Sequence, residues 1–150
     1  MSSRLFVAYG VGVNRAEMAK HCPTAKLIGA TELKNYRLAF RGSRAGALAT
    51  IEKAKAGIAP ALLWEISPQD EAALDRWIGA PELYRKAAIK VRRGGTLVDA
   101  LIYILNSGKP QNKPSAFYYS TLLEGYRAAG FDEYILKAAV QDGDADATGA

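Results

Sequence analysis

Short apolar runs along the chain alternate with polar segments that contain glycine, proline or asparagine, a pattern typical of a domain with several short strands. These runs predict strands at residues 5–8, 26–31, 34–40, 48–51, 61–66, 84–91 and 96–105. The run 61–66 is the most continuously apolar, so we expect it to be a central strand. Residues 53–60 are more polar and predict a connection between two strands.

Helices are predicted where residues that commonly cap a helix N-terminus precede a helical pattern, at Asn14, Ser67, Ser115 and Asp132. The helices predicted after these caps cover residues 15–21, 68–78, 116–129 and 133–140. Strands and helices do not alternate regularly, as they would in a doubly wound sheet. The pattern therefore predicts one α+β domain over residues 1–140, with a small, mixed, barrel-like curved sheet and helices packed outside it. The small and acidic residues 141–150 predict a disordered tail.

Composition agrees with a single globular domain, since 150 residues with 49% hydrophobic and 23% charged residues are ordinary for that class. No apolar run approaches the roughly 20 residues of a membrane span, and no secretion signal is recognisable. Cys22 is the only cysteine, which excludes an intrachain disulfide and favours a cytoplasmic setting. The only histidine, His21, is adjacent to Cys22, and adjacent helical residues do not share a face, so no metal site is predicted.

The net charge of +5 raises the possibility of nucleic-acid binding. Most basic residues are scattered, however, and the only local clusters are Arg41 with Arg44, and Lys90 with Arg92 and Arg93. No basic stripe interleaved with aromatic residues is present. We therefore expect a solvated surface that binds neither nucleic acid nor a membrane.

The stretch 9–14, Tyr-Gly-Val-Gly-Val-Asn, joins the first predicted strand to the first predicted helix. Its two glycines allow the backbone to approach a ligand closely, and amides at such a turn favour an anion or a carboxylate. A plain strand-to-helix turn would have the same composition. Both interpretations stay open on this stretch alone.

Several segments in a fixed order resemble the gamma-glutamylcyclotransferase-like family, including its AIG2-like and butirosin-pathway branches. They are residues 5–10, 62–66, 74–77, 114–118 and 125–126, together with Gly79, Tyr84, Tyr103 and Asn106. The first contains the Tyr-Gly of the family's Y-G-S-N loop, and Gly79 matches the glycine of its E-G segment. The resemblance covers most of residues 4–135.

This resemblance implies a barrel-like sheet around one cavity. In the family, the Y-G-S-N loop holds a γ-glutamyl group, and a glutamate acts as acid and base while the substrate's amine attacks its own γ-carbonyl. The products are 5-oxoproline and an amine, and no metal or organic cofactor takes part. The substrate pocket is thereby expected to include Tyr9, Gly10, Val11, Gly12, Val13, Ile78, Tyr84 and Tyr118, and a small-molecule ligand is the expected partner.

The chain departs from the family where chemistry is expected. Val11 and Gly12 replace the serine and asparagine of the loop, and Ile78 occupies the position of the glutamate. Isoleucine cannot transfer a proton, and general acid–base catalysis typically contributes about 10²–10⁴-fold. Leu48 and Ile102 would add apolar lining, although ordinary packing in the core is the favoured explanation for both.

The first hypothesis is a cyclotransferase-fold protein whose active site has been dismantled or redesigned, naturally or by engineering, into an apolar small-molecule pocket. The alternative is an active cyclotransferase that uses a displaced carboxylate such as Glu82. A third hypothesis is an interaction module whose cavity is filled by its own side chains.

Overall fold

The computed structural model describes residues 3–149, with side chains described as far as residue 141. The strands are β1 (Arg4–Ala8), β2 (Lys26–Arg41), β3 (Leu48–Ile66), β4 (Tyr84–Arg93) and β5 (Thr96–Leu105). The helices are α1 (Arg15–His21), α2 (Pro68–Leu74), α3 (Ala116–Ala129) and α4 (Tyr134–Gly149). A 3₁₀ turn (Val11–Val13) joins β1 to α1, and a π-helical turn (Asp75–Gly79) extends α2.

The five strands form one mixed sheet in the order β2-β3-β1-β5-β4. All neighbours are antiparallel except β1 and β5, which are parallel. At the two ends of this order, the hydroxyl of Thr31 on β2 donates a hydrogen bond to the carbonyl of Arg92 on β4 at 2.8 Å. Because the first and last strands meet, the sheet is curved into the predicted barrel-like shape.

The strand pattern differs from the prediction in its middle section. The two strands predicted at 26–31 and 34–40 are one strand, β2, and the predicted connection 53–60 belongs to β3. Both strands are long because they pair with each other along the whole of β2. The pairing shifts register between Lys34 and Tyr36, close to the gap between the two predicted strands. Asn35 has a positive φ of 68°. The central strand is β1, whereas residues 61–66 of β3 lie beside it.

The predicted caps are confirmed at the helices that border the site. The Asn14 side chain accepts from the Glu17 amide, and the Ser115 side chain accepts from the Tyr118 amide. Ser67 and Asp70 form a complete capping box at α2. Helix α4 continues past residue 140, where its end was predicted. Disorder is predicted for residues 141–150. The side chains of residues 142–150 lie outside the described part of the chain, so this stays a prediction.

The core lies between the sheet and the helices and is almost entirely apolar. Its largest fully buried side chains include Phe40, Met18, Leu74, Leu122 and Tyr126. Among the described helices, none is long and apolar enough to cross a membrane. Within the described ranges, no group of three or more His, Cys, Asp or Glu residues is arranged to hold a metal ion.

Candidate functional site

The predicted pocket begins at the C-terminal end of β1, where the chain enters the 3₁₀ turn. The turn uses the amides of Val13 and Asn14, which donate to the carbonyls of Gly10 and Val11 at 2.9 and 3.1 Å. The indole Nε1 of Trp64 donates to the carbonyl of Gly12 at 3.1 Å and so fastens the turn to β3. The backbone at this point is therefore held from both sides.

Gly12 is required by the packing beneath the turn. A Cβ atom at this position would lie 2.7 Å from the Cβ of Ala8 and 3.3 Å from the ring of Phe6. The asparagine expected from the family resemblance therefore does not fit here unless β1 changes as well. The presence of glycine instead of asparagine at residue 12 therefore depends on Ala8 and Phe6, which pack beneath it.

A small cavity, the inner pocket, lies between this turn and three tyrosines. Its wall consists of residues 6–12 together with Ala49, Ile78, Tyr84, Tyr103 and Tyr118. Its volume is about 30 Å³, which leaves room for roughly two water molecules. As the side chains stand, the inner pocket is too small for an amino acid.

Two of the tyrosines are hydrogen-bonded to the same residue of β3. The hydroxyl of Tyr84 donates to the carbonyl of Ala49 at 2.6 Å, and the amide of Ala49 donates to the hydroxyl of Tyr118 at 3.0 Å. The hydroxyl of Tyr9 donates to the carbonyl of Tyr103 on β5. The tyrosines thus have fixed positions and join β1, β3, β4, β5 and α3 around the pocket.

These hydroxyl groups are neutral at physiological pH. Burial raises the pKa of Tyr84 well above its ordinary value, and the neighbouring Tyr118 and Tyr9 raise it further. Burial also raises the pKa of Tyr9 and of Tyr118. The described wall of the inner pocket contains no Asp, Glu, His, Lys or Arg. Its polar groups can therefore bind a ligand through hydrogen bonds, but none of them is a ready base near pH 7.

Ile78 reaches the pocket from the π-helical turn that follows α2. Its neighbour Trp77 stacks on His21 of α1, with ring centroids 4.1 Å apart and an angle of 12° between the planes. Gly79 ends the turn with a φ of +97°, a conformation that suits glycine. This arrangement presents Ile78 at the boundary between the inner pocket and a second, larger cavity.

The second cavity, the outer chamber, has a volume of about 290 Å³. It shares Val11, Ile78, Tyr84 and Tyr118 with the inner pocket. Its other wall residues are Glu17, Leu48, Trp77, Leu83, Phe117 and Thr121. The two cavities are therefore successive parts of one site, and only the outer one has the volume of a small-molecule site.

Most residues predicted for the site lie together. Tyr9, Gly10, Val11, Gly12, Ile78, Tyr84 and Tyr118 all line the inner pocket. Val13 and Ile102 are fully buried and line neither cavity, because each packs into the core. Glu82 is exposed and lines neither cavity; its carbonyl accepts from the side chain of Asn106 at 3.0 Å.

Several site residues were not predicted for this role. Ala49 and Tyr103 line the inner pocket, and Glu17 and Phe117 line the outer chamber. For Tyr103, its place in the family pattern was an available signal. Phe117 likewise lies in a quoted family segment, 114–118. For Glu17 no signal was available, because only the fold brings α1 to the same cavity as Phe117.

Comparison with solved structures supports the fold. A structure described as a gamma-glutamyl cyclotransferase superposes with a TM-score of 0.80 over 92% of this chain and 86% of its own, at 20% sequence identity. An uncharacterized protein from Homo sapiens gives a TM-score of 0.80 over 92% of this chain and 88% of its own, at 23% identity. An AIG2-like protein from Mus musculus gives 0.61 over 73% and 82%, at 18% identity.

A search among curated protein sequences gives no match. The sequence profile of the AIG2-like family, in contrast, matches residues 61–137, just over half of the chain. The matched region contains Ile78, Tyr84 and Tyr118, and the structural likeness extends over the remaining strands. The chain therefore belongs to the AIG2-like family and has a gamma-glutamyl cyclotransferase-like fold.

Proposed function

We propose that this AIG2-like protein does not carry out the glutamate-dependent cyclotransferase reaction and instead binds a small, mainly apolar molecule at the altered site. The observation that carries the proposal is Ile78. It lines the inner pocket at the position to which the family resemblance assigns the acid and base.

The chemistry around Ile78 supports this proposal. Cyclisation of a γ-glutamyl amine requires a proton to leave the attacking amine and another to reach the departing one. Isoleucine performs neither step, and the raised pKa values of Tyr84 and Tyr118 keep their hydroxyls protonated. Loss of general acid–base catalysis alone costs about 10²–10⁴-fold in rate.

The volumes indicate where a ligand would lie. The inner pocket measures about 30 Å³ and the outer chamber about 290 Å³. A ligand would therefore occupy the outer chamber and reach the tyrosine hydroxyls only with a small group. This arrangement combines two of the hypotheses from the sequence, because the inner cavity is nearly filled by the protein's own side chains while the outer one is open.

The test restores the missing carboxylate. Ile78→Glu is compared with Ile78→Gln, which has almost the same shape but no acid–base function, in an assay for release of 5-oxoproline from γ-glutamyl amines. We expect the parent and the glutamine variant to be inactive, and the glutamate variant to gain about 10²-fold or more. If Ile78→Glu alone does not produce 5-oxoproline, the double variant Ile78→Glu with Val11→Ser also restores the serine of the family loop. A parent protein that releases 5-oxoproline clearly faster than the glutamine variant would refute the proposal.

The alternative, an active cyclotransferase with Glu82 as its base, has less support. The Glu82 side chain is exposed and lines neither cavity. The Glu82→Gln variant decides the matter in the same assay, since loss of parental activity would establish this alternative.

A further inference from the structure

We propose that the outer chamber selects an organic cation, namely a small molecule with an apolar ring or chain and a protonated amine that pairs with Glu17. The inference rests on the proposed function, because it assigns a ligand class to the same site. It adds a recognition residue, Glu17, that lies on α1 and outside the family segments quoted above.

The apolar part of the ligand is indicated by the chamber's wall. Phe117 is 82% exposed and Leu83 is 40% exposed, although both are large hydrophobic side chains. Both line the outer chamber, together with the partly buried apolar side chains of Leu48 and Trp77. Exposed apolar side chains that converge on a concave site are typical of a ligand-binding surface.

The charge of the ligand is indicated by Glu17. Among the described residues that line the outer chamber, Glu17 is the only one with a charged side chain. The protein as a whole has a net charge of +5, so a negative group at this opening runs against the overall charge. An apolar wall with a single carboxylate is complementary to an apolar body with a single ammonium group.

The backbone of Glu17 has a fixed position, and its carboxylate has an available oxygen. Its amide donates to the side chain of Asn14 at 3.0 Å, and the Asn14 amide group donates to the carbonyl of Thr121 on α3 at 2.9 Å. This ties the first turn of α1 to the opposite wall of the chamber. Lys20 pairs with Oε2 of Glu17 at 2.8 Å, and within the described residues Oε1 accepts no hydrogen bond.

Lys20 and a ligand ammonium group would compete for the carboxylate of Glu17, and we expect Lys20 to bind it more weakly. Its side chain is 69% exposed, whereas that of Glu17 is 28% exposed. An exposed pair of this kind contributes little, because water and salt screen it. A ligand ammonium held in the chamber would be better shielded from water and could also lie over the aromatic face of Phe117 or Trp77.

The test uses three probes with the same phenyl group and different charges: 2-phenylethylammonium, 2-phenylethanol and 3-phenylpropionate. Affinities are measured by calorimetry, and amide chemical shifts of Glu17, Phe117 and Thr121 report the place of binding. We expect the cation to bind about fivefold more tightly than the alcohol, and the anion to bind least. Equal affinities, preference for the anion, or no binding of any probe at millimolar concentration would overturn the proposal.

Four variants separate charge from shape. Glu17→Gln should remove the preference for the cation and leave the affinity for the alcohol within about twofold. Lys20→Met should strengthen binding of the cation, because it removes the competing ammonium. Phe117→Ala should weaken both the cation and the alcohol. Glu133→Gln is the matched control, because Glu133 pairs with Arg127 at 2.9 Å and does not line the chamber.

The two proposals fail in different ways. A parent protein that releases 5-oxoproline clearly faster than its Ile78→Gln variant refutes the proposed function and leaves a Glu17-dependent cation preference intact. A cation preference that survives Glu17→Gln refutes this inference, whatever the outcome at Ile78.

Discussion

Gly125 of α3 lies directly against the backbone of Val13 in the 3₁₀ turn. A Cβ atom at Gly125 would be 2.7 Å from both the carbonyl carbon and the carbonyl oxygen of Val13. Neither atom is the end of a flexible side chain, so the turn or the helix would have to move. This close approach is what brings α3, with Phe117 and Tyr118, over the end of β1.

Gly125→Ala should destabilise the protein. Alanine is preferred to glycine in a helix by about 1 kcal/mol, but forcing extra volume into a packed contact typically costs about 1–3 kcal/mol. Since the contact is with backbone, we expect a net loss of about 1–2 kcal/mol in the free energy of unfolding, measured by urea denaturation. Gly95→Ala is the control, because a Cβ there meets no atom within 4 Å, and it should change stability by less than about 0.5 kcal/mol.

Cys22 should react slowly with thiol reagents in the folded protein. Burial, and to a smaller extent the charge of Asp70, raises the pKa of its thiol from 9.0 to about 11. Only the thiolate is nucleophilic, so at pH 8.5 alkylation by iodoacetamide should be much faster in urea-unfolded protein. Reaction at the same rate in both states would contradict this burial.

The same shift has a consequence for stability. Because the folded thiol ionises at a higher pH than the unfolded one, its contribution is fully present below about pH 9 and is lost as the pH rises towards about 11. Cys22→Ala should lack this component of the pH dependence. The free energy of unfolding is measured against pH for the parent and for Cys22→Ala. The difference between the two curves gives the contribution of the thiol, because lysine and tyrosine titrate in both proteins.

Glu71 on α2 links two strands of the sheet. It pairs with Arg4 of β1 at 3.0 Å and also with Lys86 of β4. Burial acts to raise the pKa of the Glu71 carboxyl, but the bonds to Lys86 and Arg4 outweigh it, and the net effect lowers the pKa. A lowered folded-state pKa gives a stabilisation that is present above the unfolded value and lost as the pH falls through the folded value.

Glu71→Gln should therefore destabilise the protein at pH 7 and have no effect in acid. We expect a loss of up to about 1 kcal/mol, because the pair is only partly buried. The loss should disappear as the pH falls below the ordinary glutamate pKa and then through the lowered pKa of the folded protein. Glu82→Gln is the control, since the exposed Glu82 makes no ion pair within the described part of the chain. A Glu71→Gln effect that persists undiminished at pH 3 would argue for packing instead of charge.

The sequence predicts the elements whose ends carry local signals. Helix α3 has the predicted bounds because Ser115 caps one end and Gly130, with a φ of 76°, ends the other. Residues 53–60 carry signals against a strand, since they include Gly57 and Pro60. They form a strand only because β2 lies alongside them. Long-range pairing of this kind cannot be read from local composition.

The candidate site also has parts that the sequence predicts and parts that it does not. The positions of Ile78 and of the glycine turn could be predicted because each belongs to a segment with a recognisable pattern. Leu48 was expected to line a cavity, but the outer chamber as a whole could not be predicted, because Glu17 and Phe117 come from α1 and α3 and share no periodicity. The small volume of the inner pocket likewise depends on how closely Ala49 approaches the turn, which composition does not reveal.

The packing of Gly12 on Ala8 predicts that the altered loop and β1 are energetically coupled. A Cβ at Gly12 would lie 2.7 Å from the Cβ of Ala8, so Gly12→Ala should destabilise the protein by about 1–3 kcal/mol. Ala8→Gly removes the atom in conflict. Gly12→Ala should therefore cost less in the Ala8→Gly background than in the parent.

A double-mutant cycle measures this coupling from the free energies of unfolding of the parent, the two single variants and the double variant. We expect an interaction energy of about 1 kcal/mol in favour of the double variant, in the range usual for residues in contact. Gly12→Ala combined with Gly95→Ala is the matched control and should be additive, because Gly95 is in open space. Additivity of Gly12→Ala with Ala8→Gly would mean that the turn moves away from β1 instead of pressing on it. In that case Gly12→Asn would restore the asparagine of the family loop with no greater loss of stability than Val11→Ser causes in restoring its serine.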